Sequence, residues 1–487
     1  MFKAYRSKRF ERSLFPPNMF DLLEKDDPVF LYVDIVESLD FSSINRKYSR
    51  LGEHAYDPMM LFLVLLYGYT HGVFSSRKLA GQCQRDLCYM YITGSLKPDF
   101  RTISDFRKNH IQELKGLFQQ SVLLAKELSM VSLGHVSLDG SFFEANSSKH
   151  KAMSYGRMLE AEKALKEEIE GFLVKAEKTD NAEDLRYGKE KSGSEVPEEL
   201  LRKKERLQNI KEAKRALEER ESKENPGKEI DPKKQISFAD KEAKIMGSKS
   251  KGFDYRYNGQ ACVDEESQII VGGHLTKKVN DLQEVVPALK EMEETVGELP
   301  EKMTADAGYL SAGNIEELEK KGIDGYIATG KGESSGNEST EEIIPSGFTL
   351  DEGENRITCP VGKELKLYHE SDDGAVKKYR ALIDDCRNCS LSKTCRDNKF
   401  AKRIVVDKNK VYREQMRKKL NTPEGEAVYR KRKHIVEPVF GQIKYCMGFR
   451  SFQLRGFEKT KGEFYLVCMG HNIRKIVKKK IEEKKAA

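Results

Sequence analysis

Residues 135–145, HVSLDGSFFEA, mark the point where the sequence changes from helical to strand-like periodicity. Val136 and Leu138 are apolar, and the β-rich neighbours are typical of a strand. Strand patterns then resume at 252–264 (GFDYRYNGQACVD) and 268–276 (QIIVGGHLT), in KMTADAGY and in GYIATG. Helical patterns separate them at about 281–297 and in SAGNIEELEKKG. This alternation of strands and helices predicts a mixed α/β sheet.

Residues 1–130 have a helical pattern throughout. Asp57-Pro58 opens an apolar helix to about Thr70, Ser75-Ser76 caps a second helix through RKLAGQCQRDL, and a third long helix begins at Thr102. The short turn between the first two helices, with basic residues on the second, is typical of a helix-turn-helix that reads DNA. Three helices of this kind also occur as packing modules, so both interpretations stay open. The candidate DNA contacts here are Arg77, Lys78 and Arg85.

The segments beyond the first 130 residues differ in composition. Residues 155–236 are highly charged and have two apolar stripes, which predicts a helical hairpin or coiled-coil insertion. This insertion divides the α/β core into 131–154 and 237–330. A Gly/Ser/Glu-rich linker and a Cys-rich insertion occupy 331–410, and basic helices occupy 411–487.

Charge and hydropathy restrict the class of protein. The chain has 487 residues with 86 Lys and Arg against 79 Asp and Glu, a formal net charge of +7. No apolar run approaches the roughly 20 residues that span a bilayer, and the N-terminus lacks an apolar signal core, so we expect a cytoplasmic protein. The basic runs YRKRKH and IRKIVKKK predict a phosphate-facing surface, although the last ten residues are equally typical of a solubilising tail.

Four of the nine cysteines lie in one region of the sequence. Cys386 and Cys389 form a CxxC pair, Cys395 follows, and Cys359 lies upstream. Four thiolates are the ligand set of a closed, structural Zn²⁺ site. A reduced thiol cluster without metal is the alternative, because the first gap is long.

Three acidic residues stand beside small or apolar residues at predicted element ends. Asp139 follows the strand HVSL and precedes Gly140, and Asp306 follows KMTA and precedes Ala307. Glu437 lies where a basic run meets an apolar helix. Isolated carboxylates of this kind are suitable ligands for Mg²⁺ or Mn²⁺, which prefer hard oxygen donors. Spacing alone does not exclude the rival acids Asp264 and Asp281.

The chain resembles a known family in a series of motifs spread over about residues 50–475. They are YDPMMLFLVLLYGY, SSRKLAGQCQRD, PDFRTISDFRK, SLDGSFFEANSS, YRYNGQACVD, TADAGY and IVEPVFGQIKYCMGFRSFQLRG. These strings resemble bacterial insertion-sequence transposases of the IS eleven-eighty-two group, in the IS-four-like superfamily. The resemblance implies an RNase H-like catalytic fold that cuts transposon ends and joins the freed 3′-OH to target DNA. Asp139, Asp306 and Glu437 would then be the catalytic, metal-binding acids.

The same resemblance implies the partners of the site. The superfamily often has Tyr, Arg, Glu and Lys around the third acid; Lys444 keeps the Glu-to-Lys spacing, but Arg430 and Lys433 occupy the positions expected for Tyr and Arg. Double-stranded DNA is the expected partner, a homodimer or larger synaptic complex the expected assembly, and the bacterial nucleoid the expected location. A nuclease that does not join strands and an inactive DNA-binding derivative remain as alternatives. The candidate DNA contacts in the C-terminal region are Lys433, Lys444, Arg450 and Arg455.

A second acid in the basic C-terminal region competes with Glu437 for the third position. Glu437 precedes Pro438, a residue that is well placed in the first turn of a helix. Glu463 lies inside the pattern KTKGEFYLVCMGHN, where a pairing with Lys459 or Lys461 explains it. We therefore predict that Glu437, and not Glu463, is the third metal ligand.

Overall fold

The computed structural model describes residues 22–48, 55–147, 152–187, 198–248, 252–329, 347–351, 353–371, 374, 376–395 and 401–486. Helices and several sheets make up these residues, which confirms the predicted mixed α/β class. The first 21 residues of the predicted N-terminal region lie outside the described residues, and so does most of the predicted linker.

Seventeen helices occur in the described part of the chain. They are α1 Pro28–Glu37, α2 Ser42–Asn45, α3 Pro58–Thr70, α4 Ser76–Gln82, α5 Leu87–Ile92, α6 Phe100–Asn109, α7 Ile111–Glu127, α8 Tyr155–Tyr187, α9 Glu198–Glu224, α10 Val285–Val296, α11 Ala312–Lys320, α12 Ile383–Arg387, α13 Ser392–Cys395, α14 Lys408–Leu420, α15 Pro423–Ile435, α16 Glu437–Gly441 and α17 Phe457–Ala486. A 3-10 turn spans Ala307–Tyr309, and a π-helical turn spans Gln442–Cys446.

The N-terminal helices follow the sequence signals in part. Helix α3 begins at Pro58 because the Asp57 carboxylate accepts a hydrogen bond from the Met59 N–H at 3.0 Å, and it ends before Gly72, as predicted. The predicted second helix is shorter than expected, since α4 ends at Gln82 and α5 begins after a new cap at Asp86. The predicted third helix is two helices, because the backbone of His110 leaves the helical conformation between α6 and α7.

The strands fall into three sheets. They are β1 His135–Glu144, β2 Ala152–Ser154, β3 Gln235–Ser237, β4 Lys244–Ser248, β5 Gly252–Asp264, β6 Ile270–Thr276, β7 Lys302–Ala305, β8 Asp324–Ile327, β9 Thr349–Asp351, β10 Arg356–Thr358, β11 Glu364–Glu370, β12 Val376–Ala381 and β13 Arg403–Asp407. The largest sheet has the order β4-β5-β1-β7-β8, and β6 also pairs with β5. Strand β5 is antiparallel to β1 and β6, whereas β7 is parallel to both β1 and β8.

Helices from both ends of the chain share one hydrophobic core with this sheet. Helix α3 is buried from Met60 to Thr70, and α17 packs against α7, α3 and β6. The buried Glu463 of α17 accepts hydrogen bonds from the Tyr69 hydroxyl at 2.6 Å and the Leu454 N–H at 2.9 Å. The Arg107 guanidinium, 3.9 Å from the same carboxylate, donates to the Tyr69 hydroxyl. Glu463 is thus a structural acid, although its partner is Arg107 and not the predicted Lys459 or Lys461.

Two parts of the chain have separate apolar cores. Helices α8 and α9 pack together with β3 through Met158, Leu165, Ile210, Leu217 and Ile236. Strands β9 to β13 form an antiparallel sheet in the order β13-β12-β11-β10-β9, around its own small apolar cluster. The sequence predicted a linker and a Cys-rich insertion for 331–410 without this sheet.

Replacing Glu463 by Ala should lower the free energy of unfolding by about 3–5 kcal/mol, because it leaves the Arg107 charge buried without its partner. Urea denaturation at neutral pH measures this change. Glu458→Ala, an exposed position in the first turn of the same helix, is the control and should change stability by less than about 0.5 kcal/mol. Equal small losses in both variants would contradict a structural role for Glu463.

Candidate carboxylate site

The pairing of two parallel strands brings the first two predicted acids together. Leu138 of β1 is the register partner of Ala305, the last residue of β7. Asp139 and Asp306 are the next residues along the chain after this pair, so their backbones lie side by side. Asp139 stands in the middle of β1 and not at a strand end as predicted, because β1 continues to Glu144 in its pairing with β5. Asp306 caps the 3-10 turn, accepting from the Gly308 N–H at 2.8 Å.

The third predicted acid is linked to the first by an arginine. Glu437 is exposed and is the first residue of α16. One Arg432 nitrogen lies 3.1 Å from Asp139 Oδ1, and another lies 3.6 Å from Glu437 Oε1. The guanidinium, which is mostly buried, therefore stands between the two carboxylates.

Sequence reasoning missed Arg432 and its neighbour Tyr429. The expected Tyr and Arg positions hold Arg430, which pairs with Glu426, and Lys433, which is exposed. Tyr429 and Arg432 have the i, i+3 spacing of one helix face, displaced by one residue from the expected register. Tyr429 and Arg432 are each one residue farther from Glu437 than the expected spacing. The break between α15, which ends at Ile435, and α16, which begins at Glu437, accommodates the extra residue. The sequence YRKR offers a second Tyr-x-x-Arg register, a signal that could have found both residues.

Three of the predicted DNA-binding residues lie along the part of the chain that continues β1 beyond Asp139. Lys444, in the π-helical turn, donates to Ser141 Oγ at 2.5 Å and to the Phe142 carbonyl at 2.8 Å. The Arg455 side chain donates to the Asn146 carbonyl at 3.1 Å. Arg450 is exposed, and its guanidinium lies 4.9 Å from the exposed Tyr445 ring. We call Lys444, Arg450 and Arg455 the basic strip.

Burial and neighbouring negative charges raise the pKa of two aspartates of the site, Asp139 and Asp281. Burial raises the pKa of Asp139 to about 6; Arg432 opposes this shift, and the charges of Asp306 and Asp281 add to it. Burial also raises the pKa of Asp281, with Asp306 contributing, while hydrogen bonds from Asn258 and Gln260 oppose the shift. Asp139, Asp281 and Asp306 thus form one concentration of negative charge.

The two rival acids lie in different surroundings. Asp264 is fully buried opposite Val136, and its carboxylate accepts from the Leu133 N–H at 2.8 Å, so it is a structural residue at the other end of the β1–β5 pairing. Asp281 lies in the aspartate cluster. Its Oδ1 accepts from Asn258 Nδ2 at 2.8 Å and from Gln260 Nε2 at 2.6 Å.

The donor chemistry of the cluster suits a hard divalent cation. Carboxylate and amide oxygens are the ligands that Mg²⁺ prefers. The Oδ1 atom of Asn258, which is buried, has no hydrogen-bond partner within the described residues. In that same part of the chain, no three His, Cys, Asp or Glu side chains are arranged to hold a metal ion as they stand. Arg432 occupies the position between Asp139 and Glu437, so metal binding there requires its guanidinium to move.

The four predicted cysteine ligands lie in one part of the fold, but within the described residues no three of them are arranged to hold a metal ion as they stand. Burial and the neighbouring Cys386, Cys359 and Cys389 raise the pKa of the Cys395 thiol. Backbone N–H groups donate to two of the sulfurs, Lys363 to Cys359 at 3.3 Å and Leu391 to Cys389 at 3.4 Å. All four side chains are half-buried free thiols.

The predicted N-terminal DNA contacts Arg77, Lys78 and Arg85 are all exposed. Arg77 lies 4.9 Å over the Phe100 ring, and Arg85 follows the end of α4. Among the described residues, no helix is long and apolar enough to cross a membrane.

Two family models match the chain. The model described as "Transposase DDE domain" matches residues 358–477, which include Glu437 but neither Asp139 nor Asp306. The model described as "Transposase domain (DUF772)" matches residues 17–109. The two matched segments, which together cover less than half of the chain, are thus similar to transposase domains, and neither match specifies an IS group. Searches of curated proteins and of solved structures find no match.

The raised pKa of Asp139 predicts a pH-dependent stability in metal-free protein. Between its ordinary value of 3.8 and about 6, the folded state binds more protons at this site than the unfolded state, so its contribution to stability falls as pH rises. Relative to wild type, the unfolding free energy of Asp139→Asn should therefore increase by up to about 3 kcal/mol from pH 4 to pH 7.

Urea denaturation in chelator at a series of pH values measures this difference. Asp105→Asn, which changes an exposed carboxylate paired with Lys108, is the control and should run parallel to wild type. An Asp139→Asn difference that stays constant with pH would contradict the shift.

Proposed function

We propose that the chain cuts DNA at the ends of its own insertion sequence and joins the freed 3′-OH to target DNA, using Asp139, Asp306 and Glu437 as metal ligands. The observation that carries this proposal is the β1–β7 register, which sets Asp139 beside Asp306. Arg432 lies between Glu437 and Asp139 and forms an ion pair with each of them. The two family matches support DDE transposase chemistry in general.

We further propose that the largest sheet is the RNase H-like core. Its support is the arrangement of three antiparallel strands, β6-β5-β1, next to the parallel strands β7 and β8. The first acid lies on the central strand, and the second follows the adjacent parallel strand. Helices α8 and α9 enter between β2 and β3, outside this sheet, which is consistent with an insertion.

The site residues would share the chemistry in distinct roles. Bound divalent cations, Mg²⁺ or Mn²⁺, would activate the attacking oxygen and stabilise the leaving oxygen. Asp139, Asp306 and Glu437 would supply hard oxygen ligands. Arg432, displaced from the carboxylates, could form a bidentate hydrogen bond with a DNA phosphate. Lys444 is held by β1 two residues beyond Asp139 and could contact a neighbouring phosphate.

We assign DNA binding to two basic surfaces. The basic strip extends along β1 from Ser141, which Lys444 contacts, to Asn146, which Arg455 contacts, and would hold the DNA backbone that leads away from the cut. The exposed Lys433 is next to Arg432 on α15. Arg77, Lys78 and Arg85 lie on the N-terminal helices, where they would contact the transposon end. A homodimer or larger assembly would bring two ends together. Phosphate contacts of this kind give a steep dependence of affinity on salt.

Single replacement of each acid tests the function. Asp139→Asn, Asp306→Asn and Glu437→Gln should reduce cleavage of end DNA to background in both Mg²⁺ and Mn²⁺. Binding of the end, measured by gel shift, should remain within roughly twofold of wild type, because Lys and Arg contacts to phosphates dominate affinity. Glu426→Gln, an exposed acid on α15, is the matched control and should cleave normally.

Normal cleavage by any one of these acid variants would remove that residue from the site. A separate strand-transfer assay supplies a pre-cut end with a free 3′-OH and a plasmid target. Cleavage of ends without joining would identify a nuclease that does not transfer strands. Binding without cleavage by the wild type would identify an inactive DNA-binding derivative.

We also propose that Cys359, Cys386, Cys389 and Cys395 hold a structural Zn²⁺. Two observations support a thiolate site. The other three cysteines raise the pKa of the Cys395 thiol, and backbone N–H groups donate to the sulfurs of Cys359 and Cys389. Cys359 follows β10 and the other three lie in or near α12 and α13, so the metal would fasten these short helices to the β9–β13 sheet. Short helices of four and five residues have little stability of their own.

Protein purified without chelator should contain about one zinc per chain, since four thiolates fill a tetrahedral site. Elemental analysis measures it, and Cys386→Ser with Cys389→Ser should remove it. Cys446→Ser, which changes an exposed cysteine outside the cluster, should leave the zinc content unchanged. Wild-type protein without zinc would contradict the proposal.

A further inference from the structure

We propose that Asp281 is a fourth carboxylate of the metal-binding site, and this inference rests on the proposed function. Asp281 lies between β6 and α10, on neither of the strands that carry Asp139 and Asp306. The sequence analysis left Asp281 only as a rival to the three predicted acids. In the folded chain its carboxylate lies against two glycines, Gly140 and Gly308, each close in sequence to one of these acids.

The first glycine is Gly140, which directly follows Asp139. A Cβ on Gly140 would lie 3.0 Å from Asp281 Oδ1 and 2.5 Å from Gln260 Nε2. The Asp281 carboxylate thus approaches the backbone of β1 at Gly140, on the face of the strand opposite to the one that carries the Asp139 side chain. No side chain other than hydrogen could occupy that space without displacing Gln260 and Asp281.

The second glycine is Gly308, two residues beyond Asp306. A Cβ there would lie 3.0 Å from Asp306 Oδ1 and 3.5 Å from Asp281 Oδ2. Oxygens from two carboxylates therefore lie within 3.5 Å of one point. Among the described residues, no Lys or Arg forms an ion pair with either of these two aspartates. A shared cation between them would remove the repulsion of two like charges in a partly buried site.

The amide side chains of β5 orient Asp281 and leave one oxygen for a ligand. Asn258 and Gln260 both donate to Oδ1, which directs Oδ2 toward the loop that carries Asp306. Gln260 is itself fixed, because its carbonyl oxygen accepts from the buried Tyr309 hydroxyl. The orientation of Asp281 is thus set from a buried strand.

An independent sign of a missing ligand is Asn258. Its side chain is 1% exposed, and its Oδ1 has no hydrogen-bond partner in the described part of the chain. This oxygen lies 3.1 Å from the position of a Cβ on Gly140, beside Asp281 Oδ1 at 3.0 Å. A buried acceptor without a donor is costly, and a hydrated cation at the carboxylates would supply water molecules as donors.

The test measures metal binding directly, in full-length protein without DNA. Mn²⁺ is titrated into metal-free wild type, Asp281→Asn, Asp139→Asn and the control Asp324→Asn, and the free Mn²⁺ is followed by electron paramagnetic resonance. Asp324 lies on β8 and pairs with Lys419, outside the cluster. Thermal unfolding in chelator checks that each variant is folded.

Asp281→Asn should bind Mn²⁺ at least about tenfold more weakly than wild type, because one hard anionic ligand is lost. Its metal-free Tm should be equal to or above that of wild type, since Asn can still accept both amide hydrogen bonds while one like charge is removed. The concentration of Mg²⁺ that gives half-maximal cleavage should rise in proportion. Asp324→Asn should match wild type in its Mn²⁺ affinity and in the Mg²⁺ concentration that gives half-maximal cleavage.

The outcomes separate the two claims. Weak Mn²⁺ binding by Asp139→Asn together with wild-type binding by Asp281→Asn would overturn the inference and leave the proposed site standing. Wild-type binding by both variants would overturn the proposed metal site as well. A metal-free Tm that falls sharply in Asp281→Asn, with unchanged Mn²⁺ affinity, would make Asp281 a structural partner of the two amides.

Discussion

The parallel pairing of β1 with β7 is the constraint on which the site depends. Because Leu138 is in register with Ala305, the next residue along the chain after each of them is an aspartate, and these two aspartates lie side by side where β7 ends. A shift of one residue would turn one of them to the other face of the sheet. The long antiparallel pairing of β1 with β5 fixes that register from the other side. The position of the acids is thus determined by backbone hydrogen bonds far more than by the acids themselves.

Placing like charges together has an electrostatic cost that the protein offsets with its own groups. Arg432 lies against Asp139 and Glu437, and side-chain amides hold Asp281. In metal-free protein the guanidinium therefore takes the place of part of the cationic charge. In the proposed function, metal and Arg432 would compete for the same carboxylates, so metal loading would free a basic side chain where a DNA phosphate is expected. Binding of metal and binding of DNA would then favour each other.

The sequence predicted the strands that carry the site better than the surroundings of the site. β1 and β5 have clear strand patterns, and Asp139 and Asp306 stand out because each precedes small residues. Asp281 could be named from the sequence only as a rival acid, since its place beside Gly140 and Gly308 depends on the course of the β6–α10 connection. Arg432 was missed because a fixed spacing to Glu437 assumes an unbroken helix. The β9–β13 sheet was missed because β9 and β10 have only three residues each, and because adjacent lysines interrupt the alternation of apolar residues in β12.

Helices from both ends of the chain are connected to the surroundings of the site by buried contacts. Helices α3 and α6, which precede the sheet, are joined to α17 by Tyr69, Arg107 and Glu463, all of them buried. The Glu463 carboxylate also holds the backbone of Gln453 and Leu454, in the segment that carries the basic strip. Phe74, beside α4, packs edge-on against Phe449 in the same segment. A displacement of the N-terminal helices, such as docking on DNA, would therefore reach the segment that carries the basic strip through a short series of buried contacts. Recognition of an end and assembly of the cutting site could be linked in this way without a separate hinge.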